Sequence, residues 1–273
     1  MFETYKPRNR FSAGLRTLGI IHYNAVNTVR GGHRNAIIGI LLTMMQAFLL
    51  LTVFMVMFQV LGLRSAALRG DFMLYMMTGI FLFMTHNEAV KKTAGAAGPI
   101  GGILLHAPMN TIIAIASTAL SVLYSRVLAL GAVLFLYYAL FNQFTIEQPV
   151  WAFAMLLLAW FAGIAVGSLF YGLRPWFPKL APMMVQLYRR ANMIFSGKMF
   201  VANSLPSSVL PMFDWNPLFH TIDQCRGFTF LNYSPYFTNV GYPFYLGCTL
   251  IIIGMMLQFF TQKRASVSWN AGR

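Results

Sequence analysis

Charge is what this sequence has least of. Only 10% of its 273 residues are Asp, Glu, Lys or Arg, against about 25% in an ordinary soluble domain. It holds six acidic residues: Glu3, Asp71, Glu88, Glu147, Asp214 and Asp223. They are scattered, and none lies in the middle of an apolar run, which argues against a relay of buried carboxylates for proton coupling. No carboxylate pair or Ser/His/Asp order points to hydrolysis. The two cysteines, Cys225 and Cys248, have no C-x-x-C or metal spacing; a disulfide and two buried thiols are both open. His220 and Asp223 alone make no metal site. No G-x-x-x-x-G-K-[ST] loop occurs, so the chain has no nucleotide site of that kind. No secretory signal peptide is evident, because residues 1–35 are basic and polar and the first apolar run is too long for one.

What is present is apolar and basic: 58% hydrophobic residues, a mean hydropathy of +0.63 and a net charge of +14. So little charge cannot cover a water-facing surface, so the membrane class is expected. No basic patch is interleaved with aromatics in the manner of RNA readers, and nucleic acid is not an expected partner. A span needs about 20 apolar residues. Residues 36–61, 72–90, 111–141, 150–173 and 243–261 qualify, and a weaker run at 182–201 containing Arg189 and Arg190 is taken as the fifth of six. With both termini inside, segments 1–35, 91–110, 174–190 and 263–273 hold fifteen Lys/Arg and the outer segments four. That asymmetry fits a multi-pass protein with cytoplasmic termini.

Before the first span, residues 10–30 carry Phe11, Leu15, Leu18, Ala25, Val26 and Val29 at helical spacing, with Arg10, Arg16, Asn27 and Arg30 on other faces. This predicts a basic amphipathic helix in the membrane interface; a helix packed on a soluble partner is the alternative. The Gly- and Pro-rich segment 91–110 reads either as a flexible turn or as a short docking helix over 102–106. Residues 204–230 are too apolar for a free loop and too short for a span. Ser204 suits a helix start with Pro206 in its first turn. In the next segment Asn216 is the expected N-cap, Pro217 the first helical residue and Gly227 the stop. Two short helices joined by Pro-rich turns predict a re-entrant pair lining or plugging a pathway, since broken backbone at membrane depth needs protein or a water-filled cavity around it.

Ser196–Gly197, Leu205–Pro206, the run WNPLFH from Trp215 to His220, and Arg226 resemble the membrane subunit of type-2 ATP-binding-cassette exporters. The likeness is to permeases that export capsular polysaccharide and O-antigen. It covers nearly the full length, because the element order agrees as well. One departure is visible: relatives often carry Arg and Glu near the start of the third span, and TIIAIASTALS has neither.

The resemblance implies an all-α polytopic fold with one six-span transmembrane domain over 36–273, preceded by the interface helix of 1–35. It implies a homodimer bound to two ATP-binding subunits, with ATP and magnesium on those partners and no cofactor or metal on this chain. The cargo would be a lipid-linked anionic polysaccharide, moved outward among membrane lipids, with periplasmic export components as further partners. Docking to the ATPase is expected at Arg16, Lys91, Lys92, His106, Arg174 and Lys179. An exporter of drugs or lipids of the same class, or a membrane anchor for a soluble partner, are the rival functions.

For the pathway, Arg126, Arg189 and Arg190 are the charges nearest membrane depth. Arg189 and Arg190 either snorkel to the headgroups or line the inner mouth, where guanidinium pairs with phosphate or carboxylate. Arg126 is either a packing partner or a pathway residue. Tyr137, Tyr138, Phe219 and Tyr233 are the aromatic candidates, either an interfacial belt or sugar-stacking platforms. Trp215, Asn216, Pro217, His220, Asp223 and Arg226 form the expected gate; Asp223 and Arg226, three apart, can pair, and with His220 they read chiefly as holding the turn. Gly163 and Gly167 form a G-x-x-x-G for close helix packing.

Overall fold

The computed structural model describes residues 10–31, 36–60, 62, 71–96, 111–140 and 144–270. All regular structure among them is helical. The helices are α1 (Arg10–Gly31), α2 (Ala36–Val60), α3 (Phe72–Ala94), α4 (Thr111–Leu140), α5 (Pro149–Leu173), α6 (Leu180–Phe195), α7 (Pro211–Asp214), α8 (Pro217–Thr229) and α9 (Gly241–Asn270). Four of them are long and apolar enough to cross a membrane, over Leu41–Val60, Thr111–Leu140, Pro149–Leu173 and Gly241–Thr261. Their outer faces agree with that. Leu41, Met45, Phe48, Leu49 and Val53 on α2, and Ile252, Met256, Phe259 and Phe260 on α9, are exposed. In water such stripes would be aggregation sites; in lipid they need no partner. The molecule is a helical membrane protein.

α3 is the central helix, packed against α2, α4, α5, α6 and α8. It is more polar than α2, α4 and α5 and is buried along most of its length. Its start is set by Asp71, whose carboxylate accepts from the Met73 N–H at 2.9 Å; the Tyr137 hydroxyl donates to the same carboxylate at 2.5 Å. Between helices in lipid there is no hydrophobic driving force, so close approach and hydrogen bonds must hold them. The G-x-x-x-G of α5 serves this. A Cβ on Gly163 would lie 2.6 Å from the His86 carbonyl oxygen, and one on Gly167 would lie 2.7 Å from Thr93 Cβ. α5 then carries α9 on its other side. α1 lies along α4 and α2, tied by His22 Nδ1 to the Tyr124 hydroxyl at 3.0 Å, while Phe11, Leu15 and Leu18 remain exposed.

Several expected boundaries move. α3 runs on to Ala94, so Lys91 and Lys92 are helical and not part of a loop. α6 has 16 residues, about 24 Å of helix, and stops at Phe195 instead of reaching 201. The cause is Gly197, which has φ +68° and lies against the Phe219 ring, leaving a Cβ only 2.5 Å of space. The helix expected from Ser204 through Pro206 does not form. Its place is taken by a 3-10 turn over Ala202–Ser204, turns in which Val209 and Leu210 N–H donate to the Pro206 carbonyl, and the one-turn α7. α8 starts as expected, with Asn216 Oδ1 accepting from the Leu218 N–H at 3.0 Å and Pro217 first in the helix. Gly227 does not end it; the helix continues to Thr229, and Gly227 makes room for the Pro235 ring, 2.7 Å from where its Cβ would be. The expected docking helix over 102–106, including His106, lies outside the described residues.

Candidate functional site

α2, α3, α4 and α6 line a half-open cavity of about 540 Å³. Arg126 comes from α4, Arg189, Arg190 and Gln186 from α6, Asn87 and Glu88 from α3, and Gln46 from α2, above apolar Leu49, Leu50, Phe83, Met84 and Met193. The three arginines that sequence reasoning singled out therefore face one space. A second cavity of about 260 Å³ lies between α1, α2, α3 and α4, and Gln46, Glu88 and Arg126 line both. A third, of about 280 Å³, shares Gln186 and Arg189 with the first and adds Lys91 and Arg174. Across the three spaces stand Arg126, Arg189, Arg190, Lys91, Lys92 and Arg174, against Glu88 as the carboxylate among their lining residues. Such a concave field, cationic on balance, concentrates anions.

Arg126 is 6% exposed, yet its contacts are weak. Its Nη2 lies 3.9 Å from Glu88 Oε2, and its Nη1 lies 3.9 Å from Met84 Sδ. Arg189 Nε is buried and has no hydrogen-bond partner among the described residues. The middle of α4 and the last turns of α3 thus form an Arg–Glu pair beside the cavity. Glu88 could have been suspected from its place near a helix end, four residues before Lys92.

Beside the cavity runs a chain of buried amides. Asn192 donates to Asn87 Oδ1 at 3.1 Å, and Asn216 donates to Asn192 Oδ1 and to the Phe195 carbonyl, both at 2.9 Å. It links the cavity wall on α3 through α6 to the N-cap of α8. His86 joins α3 to α5 and α6, with Nδ1 3.0 Å from the Ala159 carbonyl and Nε2 2.9 Å from the Tyr188 hydroxyl. None of this was legible from spacing, since the residues lie on separate helices.

Asp223 and Arg226 do not pair with each other. Arg226 is 0% exposed and gives its donors to loop carbonyls: Nη1 to Gly197 at 2.9 Å and Phe200 at 2.5 Å, Nη2 to Lys198 at 2.6 Å. Asp223 accepts from the Ala202 N–H at 3.1 Å, the Tyr233 hydroxyl at 2.6 Å and the Thr238 hydroxyl at 2.8 Å. Burial and the Asp223 carboxylate push the Tyr233 phenol up, which keeps it a donor. Each charge is bound by a different stretch of chain, so the two fasten the 196–238 region from both sides. His220 accepts from the Asn239 N–H at Nδ1, 3.1 Å, which leaves Nε2–H to donate to the Asp214 carbonyl at 2.7 Å. Trp215 is exposed and donates to the Met212 carbonyl at 2.6 Å. These gate candidates form a fastened unit around α8, apart from the cavity.

The aromatic pathway candidates do not line the cavity. Phe219 is buried in a ring cluster with Phe195, Phe200 and Phe213. Tyr233 is held by Asp223. Tyr137 binds Asp71, and Tyr138 sits edge-on to Phe144. Of the docking candidates, Lys91 and Arg174 face the third cavity with Arg189, and Lys92 faces the second. Arg16 is exposed on α1 and Lys179 at the start of α6. One charge went unnoticed in the sequence: Lys198 is 2% exposed, its Nζ 3.7 Å from the Phe83 ring centre and 5.3 Å from that of Phe54. No protein-family model matches the chain, and no curated protein matches it.

Proposed function

We propose that the chain is the permease subunit of an ATP-driven type-2 exporter that moves a lipid-linked anionic polysaccharide, of the capsule or O-antigen kind, outward across a bacterial inner membrane. The observation that carries this reading is the cavity in which Arg126, Arg189 and Arg190 converge with one carboxylate. A guanidinium cluster of that kind suits phosphate or carboxylate groups, which it can bind bidentately. An ammonium or neutral drug would gain nothing from it, so the geometry favours an anionic cargo over the rival cargoes of the same exporter class.

In this reading α3 and α6 are the second and fifth of six spans, and residues 204–230, which hold α7 and α8, are the re-entrant segment. α1 lies in the cytoplasmic interface with Phe11, Leu15 and Leu18 in the headgroup layer. Both termini are cytoplasmic. Two copies form the conduit, and two ATP-binding subunits dock at α1, at residues 91–110 and at 174–179. They supply the ATP and magnesium. The His22–Tyr124 contact gives α1 a route to the site, because Arg126 follows Tyr124 by two residues on α4. Closure of the ATPase pair would move α1, shift α4, and so change what Arg126 touches.

Deleting the chain from its host cell tests the reading. The expected result is loss of a surface glycan with accumulation of the same glycan inside. Normal surface glycan would overturn it. ATP hydrolysis by the purified chain alone would overturn the partner assignment.

A further inference from the structure

The Arg126–Glu88 pair stands between two polar cavities, and both residues line both of them. Three facts about the pair belong together. Arg126 is nine-tenths buried with five N–H donors, and its two contacts among the described residues are an ion pair and a sulfur contact, both at 3.9 Å. Buried guanidinium groups are normally satisfied by short, paired bonds. Glu88 lies four residues before Lys92 on α3, the spacing at which two helical side chains can meet. Glu followed by Lys at that spacing is the favourable helical orientation, and Lys92 lines the smaller cavity beside it. The hydroxyls of Thr43, Ser121 and Ser125 around that cavity donate to carbonyls of their own helices, so their lone pairs remain free to accept.

We propose that Glu88 is a displaceable internal anion: a phosphate ester carried on a lipid enters the 540 Å³ cavity, takes Arg126 from Glu88, and Glu88 turns to Lys92. The phosphate gains what the carboxylate does not have, two short parallel bonds to one guanidinium, with Arg189 and Arg190 on the same wall. The lipid part follows from the rest of the lining. Leu49 and Met193 border the cavity and are exposed on the outer faces of α2 and α6, where an acyl chain continues from the headgroup into the bilayer. With the pair parted, the two cavities become one space. The exchange concerns binding alone and does not require the chain to be an exporter.

Native mass spectrometry of the full chain in detergent tests this, with dioleoyl phosphatidic acid, dioleoyl phosphatidylcholine and glycerol 3-phosphate as probes. The wild type is expected to hold phosphatidic acid about tenfold more tightly than phosphatidylcholine. Arg126→Gln lowers that preference at least about threefold, the remainder resting on Arg189 and Arg190. Glu88→Gln raises phosphatidic acid affinity roughly three- to tenfold, a gain that unfolding cannot mimic. Lys92→Gln weakens binding in the wild type and has a smaller effect beside Glu88→Gln, because the displaced carboxylate is then gone. Unchanged affinity in Glu88→Gln, or a preference undiminished by Arg126→Gln, overturns the exchange. Glycerol 3-phosphate binding as tightly as phosphatidic acid overturns the lipid assignment in favour of a free phosphate. Failure of any of these leaves export to its own test, since surface glycan is measured separately.

Discussion

The Arg226 guanidinium carbon lies 4.1 Å from the centre of the Tyr75 ring, so the charge of α8 rests on an aromatic face of α3 while its donors bind three loop carbonyls. Gly79, one turn further along α3, leaves the space for this: a Cβ there would meet the Lys198 carbonyl at 2.7 Å and Arg226 Nη2 at 3.0 Å. The hub joins the central helix, the turn after α6 and α8. Removing the charge strands three buried acceptors. Arg226→Met is expected to destabilise the purified protein by about 3–5 kcal/mol, seen as a lower thermal midpoint in detergent. Arg226→Lys does not rescue it, because an ammonium lacks the planar fork that reaches three carbonyls.

Asn216 has two jobs, capping α8 and closing the amide chain to Asn192. Asn216→Asp keeps the acceptor for the Leu218 N–H and loses the donor. Asn216→Ala loses both. The cap is worth about 0.5–2 kcal/mol and the stranded Asn192 acceptor about 1–3 kcal/mol. Thermal midpoints are expected to fall in the order wild type, Ala, Asp, because the buried carboxylate would face the Asn192 and Phe195 oxygens with no donor between them. An Asp midpoint above that of Ala would show that the amide donor contributes nothing.

Glycine substitutions separate packing from propensity. Gly14 in α1 has nothing within 4 Å of a built Cβ, so Gly14→Ala should stabilise by up to about 1 kcal/mol. Gly163→Ala on α5 meets the His86 carbonyl and Ala89 and should destabilise by about 1–3 kcal/mol. Gly197→Ala combines left-handed backbone with the Phe219 ring and should be the worst of the three. The check is the rank order of detergent melting curves.

Much of the fold can be read directly from residue order, and the reasons are particular. The run at 36–61 contains no charge, so its helix had to be apolar on every face, and α2 matches it within one residue. Asn216–Pro217 combines a side-chain acceptor with a residue that has no N–H to lose, and α8 begins there. The end of α6 was hidden because it depends on a ring 22 residues away filling the space above Gly197. The partners of Arg226 were hidden for a related reason: backbone carbonyls carry no residue identity, so Asp223 looked like the obvious mate. Arg189 and Arg190 could be found as costly charges in an apolar setting. Glu88 and Asn192 could not be joined to them, because four helices must come together before the cavity exists.

The central claim is that this cavity handles an anionic cargo, and complementation of a deletion strain tests it most directly. Cells carrying Arg189→Gln/Arg190→Gln should show surface glycan reduced roughly three- to tenfold, with the chain at its normal level in the membrane. Full surface glycan with the double variant would contradict the claim.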